Sequence, residues 1–164
     1  MKRTELPGLV QALRAPIDTF VRDARVRIVL LISTSGQVLA QHGFTARYEV
    51  MNVASLAAAA HASSRALAEL TRSGGWTHLY HAGRDRQLFL ATLATPIHPL
   101  ILVSIFDGNS SLGLVQFFFD RLAGQVAALP ELASATPSTD QVSFEHDLEA
   151  GIERIFSTEG RTAG

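Results

Sequence analysis

The stretch WTHLYHA-GRD-RQLFLATLA-TPIHP-LILVSIF, Trp76 to Phe106, decides the fold. Three short runs rich in apolar, aromatic and β-branched residues, Trp76 to Ala82, Gln87 to Ala94 and Leu100 to Phe106, are separated by Gly83-Arg84-Asp85 and by Thr95-Pro96-Ile97-His98-Pro99. Turn chemistry between such runs predicts three hairpin-linked strands, and hairpin-linked strands make an antiparallel sheet.

Upstream, Val26 to Ile32 and Gln37 to Ala40 flank Ser33-Thr34-Ser35-Gly36, which predicts another hairpin. Between the two strand groups, Val53, Leu56, Ala57, Ala60, Ser64, Leu67 and Ala68 recur at helical spacing, with Asn52 placed to cap the run and Ser73-Gly74-Gly75 to end it. A first helix is predicted from Leu9, Val10, Leu13, Ile17, Phe20 and Val21, with Pro16 forfeiting a hydrogen bond or kinking it. A last one follows from Leu112, Val115, Phe119, Leu122, Val126 and Leu129, after a turn and cap at Asp107-Gly108-Asn109-Ser110. The order helix, two strands, helix, three strands, helix predicts an α/β three-layer sandwich, a five-stranded antiparallel sheet covered by helices on both faces.

The chain has 164 residues, which suits one main domain, here 1–129. Pro- and Ser-rich 130–143 reads as a flexible linker, 144–157 as a tethered amphipathic helix carrying Phe144, Leu148, Ile152, Ile155 and Phe156, and 158–164 as a disordered tail. Gly151 inside that helix costs ~1 kcal/mol relative to Ala, so the helix should form on binding. Zero Cys removes disulfides, thiolate nucleophiles and Cys-rich zinc sites. A net charge of -1 gives no general attraction to nucleic acid or anionic lipid. The lack of a long apolar run predicts a cytoplasmic protein without membrane insertion.

Catalytic motifs are missing. His78 and His81 lie three apart on a strand and so point to opposite faces, which is poor geometry for sharing a metal. No Gly-rich phosphate loop and no Gly-x-Ser-x-Gly elbow occurs, and Ser110-Ser111 beside Asp107 reads as capping. The carboxylates are scattered, so no acid/base pair is expected, nor any cofactor or metal. The expectation is a protein that is not an enzyme.

Three features suggest association instead. Ala58, Ala62 and Ala66 form a small-residue ridge that lets another backbone approach, or else simply raise helix propensity. Trp76, Leu79 and Tyr80 sit on a strand placed for a sheet edge, where unpaired N–H and C=O groups invite a second strand, or else they pack the core. The tail helix is a docking peptide, or else folds back or stays disordered.

The segments Val29 to Leu39, Ala54 to Ala58, Tyr80 to Gly83 and above all Ile105-Phe106-Asp107-Gly108-Asn109-Ser110-Ser111-Leu112-Gly113-Leu114-Val115 resemble the roadblock/dynein light chain superfamily, and more closely its bacterial MglB type. That resemblance implies a homodimer with third strands paired and second helices side by side. It also implies binding of a Ras-like small GTPase, the MglA type, whose GTP hydrolysis is stimulated without an arginine finger, in a polarity or motility system that gathers at a cell pole. Carried over, Ala58, Ala62, Arg65 and Ala66 would face the GTPase, with His61, Ser63, Ser64 and Arg65 standing where relatives often have smaller or more apolar residues. Trp76, Leu79 and Tyr80 would serve the dimer, and the tail helix would dock on a separate GTPase face. Phe117-Phe118-Phe119 stands where more basic residues are usual, as an extra apolar surface or as packing on the first helix. Two rivals are a non-activating scaffold of the same fold and a sensory module enclosing a small molecule.

Overall fold

A computed structural model describes residues 6–44, 46–95 and 98–130, all within one compact unit, 2–135. The linker, tail helix and terminal tail expected over 131–164 lie outside the described residues. The elements run α1 (Leu6–Asp23), β1 (Ile28–Ser33), β2 (Val38–His42), α2 (Arg47–Leu70), β3 (His78–Ala82), β4 (Gln87–Leu93), β5 (Leu100–Phe106) and α3 (Leu112–Ala127). All four strand pairings are antiparallel, in the order β2-β1-β5-β4-β3. The α/β sandwich expected from the pattern of elements is thus the observed fold.

Interior position in the sheet explains why β1 and, but for Ser104, β5 read as near-continuous apolar runs and not as alternating ones: both of their faces are covered. From β1, Val29 and Leu31 join the cluster under α1 and α3, while Leu30 and Ile32 join the one under α2. On the first side, Leu9, Leu13, Ile17 and Phe20 of α1 and Val115, Leu122 and Val126 of α3 pack on Phe89, Leu102 and Phe106. On the second, Val50, Ala54 and Ala57 of α2 meet Leu90, Ile101 and Val103. Ser104 is completely buried on β5, and its hydroxyl has no hydrogen-bond partner among the described residues.

α1 runs through Pro16, in keeping with the expected loss of one internal hydrogen bond. Other local expectations are corrected. α2 begins five residues before Asn52, after extended Ala46, which makes no side-chain cap. Leu56 and Leu67 are 71% and 61% exposed, so the core line of α2 is Val50, Ala54, Ala57 and His61. A helix carrying apolar residues on several sides does not reveal from its period alone which side meets the sheet. Trp76 precedes β3 and is not part of it. The aromatic triplet of α3 divides: Phe118 and Phe119 pack on the α1/α3 cluster, and Phe117 stays 66% exposed.

Candidate functional site

Among the described residues, no group of three or more His, Cys, Asp or Glu is arranged to hold a metal ion. No helix among them is long and apolar enough to cross a membrane. His78 and His81 serve separate surroundings: His78 reaches Gln116 of α3 at 3.1 Å and stacks at 5.4 Å on Phe89, whereas His81 is exposed.

The Asp107 to Ser111 turn is a structural joint. Asp107 Oδ1 accepts from the Asn109 backbone N–H (3.0 Å) and side chain (2.9 Å), and Oδ2 accepts from the Arg27 guanidinium. The Asn109 backbone N–H, with Arg27 next in effect, holds the Asp107 carboxyl below the usual carboxylate range. Ser110 Oγ donates to the Ala24 carbonyl at 2.5 Å, tying the turn to the end of α1. Ser111 Oγ accepts from the Leu114 N–H at 3.3 Å and caps α3. Each of these polar groups is spent on the fold, and none is an activated nucleophile.

The outer face of α2 and the edge at β3 are different. Burying Ala54 and Ala57 places the helix axis close to the sheet and turns Met51, Leu56, Leu67 and Leu70 outward at 53–83% exposure. These are four of the seven large hydrophobics exposed among the described residues, so exposed apolar surface is concentrated on one element. Beside them Ala59, Ala62 and Ala66 are exposed, and Ala58 is half-buried. The Ser55 hydroxyl donates back to the Met51 carbonyl at 3.0 Å, while Asn52 and Ser63 are exposed among these apolar residues. Arg65 stands at the rim of the alanine ridge, 3.6 Å from Glu69.

Among the described residues β3 is the end strand, paired with β4 alone. Leu79 packs into the α2-side cluster, with Trp76 just before the strand. Tyr80 lies opposite Phe89, on the other face, and its hydroxyl donates to Gln87 Oε1 at 2.6 Å. Trp76, Leu79 and Tyr80 therefore do not form one outward stripe; the feature they share is the free backbone edge beside them. His61 is missed by a reading that places it outward with the ridge: it is 3% exposed, and Nε2 lies 2.9 Å from Thr92 Oγ1 on β4. Its i,i+4 relation to Ala57 is the one sequence signal that could have placed it inward.

Comparisons with known proteins agree with the fold. Myxococcus xanthus MglB is 26% identical, with 72% of this chain covering 86% of that one at a TM-score of 0.63. An MglB structure with a tetrameric arrangement is 25% identical over 77% of this chain and 90% of its own, TM-score 0.59. The gliding protein MglB of Thermus thermophilus shares the fold at a TM-score of 0.65 and 23% identity, with coverage of 77% and 93%. No curated protein sequence matches. The Roadblock/LC7 domain model matches residues 17–102, from within α1 to the start of β5, and the chain belongs to that family.

Proposed function

We propose that this chain is a homodimeric regulator that binds a Ras-like GTPase of the MglA type across α2 and stimulates its GTP hydrolysis. One observation carries the reading: the α2 outer face combines exposed leucines with an alanine ridge and lies in the same protomer as a free edge strand. Pairing of two β3 edges would satisfy backbone groups on both copies and bring two α2 helices onto one side of a continuous sheet. The ridge of Ala58, Ala62 and Ala66 then offers a smooth platform, with Arg65 at its rim. Arg65 is paired with Glu69, and the family resemblance implies no arginine finger, so the proposed effect on hydrolysis is conformational. The platform favours the partner state whose own residues are aligned for in-line phosphoryl transfer, by binding that state more tightly. The segment 144–157 would add a second contact through Phe144, Leu148, Ile152, Ile155 and Phe156, raising the effective concentration of the first.

Light scattering and a GTP turnover assay test the proposal. The chain alone should have the mass of a dimer, and the mixture with a GTP-loaded MglA-type GTPase should both co-elute and turn over faster. Co-elution at unchanged turnover would establish the scaffold reading. A monomer that neither binds nor stimulates would end both.

A further inference from the structure

A cavity of about 540 Å³ opens beneath the C-terminal end of α2, on the flank away from Leu56 and Leu67. Arg65 follows Leu56 by nine residues, and at ~100° per residue that is half a turn of helix. His61, Arg65, Glu69, Arg72, Trp76 and Thr92 line the cavity, with Pro99 at its margin. This volume is in the range of small-molecule sites, and a buried polar group with convergent charge is what distinguishes such a site from a surface dent.

The polar groups are unevenly satisfied. His61 is 3% exposed, and Thr92 engages only its Nε2. Among the described residues Nδ1 has no partner, although the ring also stands at 5.0 Å and 88° to the Trp76 indole. Arg65 is paired with Glu69 at 3.6 Å, whereas the Arg72 guanidinium has no ion pair among the described residues. The lining therefore carries one positive charge in excess, with Arg65 and Arg72 against Glu69. Arg72 is also held at φ 50, a left-handed conformation that is uncommon for a residue with a side chain.

A helix C-terminus ordinarily disfavours anions, because free carbonyls point there. Here three of those acceptors are occupied. The Leu67 carbonyl accepts from the Thr71 N–H (3.0 Å) and hydroxyl (2.8 Å), the Ala68 carbonyl from the Ser73 N–H (3.1 Å) and hydroxyl (3.2 Å), and the Glu69 carbonyl from the Arg72 N–H (3.2 Å). What the cavity presents is guanidinium charge, an imidazole nitrogen without a partner and an indole ring.

We infer that this cavity binds a small organic anion, a carboxylate or phosphate on a planar ring, with the anion at Arg72 and Arg65 and the ring against Trp76. A guanidinium fork matches either oxyanion, and an aromatic wall takes a flat apolar body. When the Thr92 hydroxyl donates to Nε2, the proton of a neutral His61 ring sits on Nδ1 and supplies a further donor. Burial, with the Arg65 charge second, lowers the His61 pKa and keeps that ring neutral. The site does not depend on the GTPase reading, because every group in it belongs to one chain.

Trp76 is the only tryptophan, so its emission reports occupancy of the cavity directly. The full-length chain is titrated with phenyl phosphate, benzoate and neutral benzyl alcohol, with excitation beyond their absorption, alongside calorimetry. Both anions should shift or quench Trp76 emission saturably, with dissociation constants on the order of 0.1–1 mM, and benzyl alcohol should bind about tenfold or more weakly. Arg72→Asn keeps a residue that tolerates the left-handed backbone, and it should erase most of the preference for the anions while leaving the melting temperature unchanged. Equal responses to all three probes, an unaltered preference in Arg72→Asn, no saturable signal, or calorimetric binding without a Trp76 response would each overturn the inference.

Discussion

Gly43 and Gly74 have nearly the same φ, 81° and 79°, but very different surroundings. A Cβ on Gly74 would meet nothing within 4 Å. One on Gly43 would lie 2.2 Å from the Arg27 carbonyl oxygen and 3.3 Å from the Ile28 Cα, where real Cβ atoms stay beyond 3.0 Å. Gly74→Ala therefore costs only the left-handed penalty of ~1–2 kcal/mol, offset by ~0.4–1 kcal/mol from a stiffer unfolded chain, a net of about 1 kcal/mol. Gly43→Ala has that net cost plus a forced displacement of the chain where it enters β1, next to the Arg27 N–H bond to the Ile105 carbonyl at 3.0 Å. Overpacking against backbone adds ~1–3 kcal/mol, so the second variant should lose about 3 kcal/mol. Urea unfolding at fixed protein concentration measures both, since partner binding makes midpoints concentration-dependent. With a slope of ~1.5 kcal/mol/M, the Gly43→Ala midpoint should fall roughly 1–1.5 M further than that of Gly74→Ala. Two variants with equal midpoints would refute the claim that the β2-to-α2 passage is pinned against the start of β1.

Ser104→Ala should stabilise the protein by about 1 kcal/mol in the same assay, because it removes a buried hydroxyl that has no partner. The folded chain keeps the His61 pKa below its ordinary 6.5, so below that pH the unfolded state binds more protons. Stability from this residue should be full above pH 6.5 and decline as the pH falls below it; His61→Gln should flatten that part of the pH profile of thermal melting. The Asp107 carboxyl is likewise held below its ordinary 3.8, so its contribution is present above that value and is lost as the pH falls further; Asp107→Asn should show a smaller acid-induced drop in melting temperature. Ala62→Arg and Ala66→Arg place charge on exposed positions, so folding should change by less than ~0.5 kcal/mol. Binding of the GTP-loaded partner should nonetheless weaken by about 2 kcal/mol or more, measured by pull-down and titration, because a charged side chain must be desolvated where close contact is needed.

Exposed apolar surface on α2 has an energetic consequence for the free protomer. Leaving leucines such as Leu56 and Leu70 in water forgoes ~1.5–3 kcal/mol each relative to full burial. A partner that covers them recovers part of that free energy. The same residues could not have been turned inward, since Ala54 and Ala57 already occupy the narrow space above Leu90 and Ile101.

Local chemistry made the order of elements readable. Turn residues separate the strands, the β5-to-α3 joint carries its own Asp, Asn and Ser contacts, and the apolar runs at β1 and β5 signalled double coverage, because burial on two faces leaves no polar alternation. The edge at β3 was only a candidate in the sequence: β1 also arrives from a helix and leaves by a hairpin, yet β5 pairs along its other side, so the distant pairing decided which of the two strands stays at the edge. Side-chain facing was another matter. Whether Leu56 or Ala57 meets the sheet, whether His61 joins the ridge or the core, and where the Phe117 to Phe119 triplet divides depend on how closely a helix approaches a surface built from residues far away in the chain. The cavity under α2 belongs to the same class, because it brings α2, β4 and the loop before β3 together. Periodicity records that a residue shares a face with its neighbours along the helix; only packing between distant segments selects which face is buried and where a gap remains.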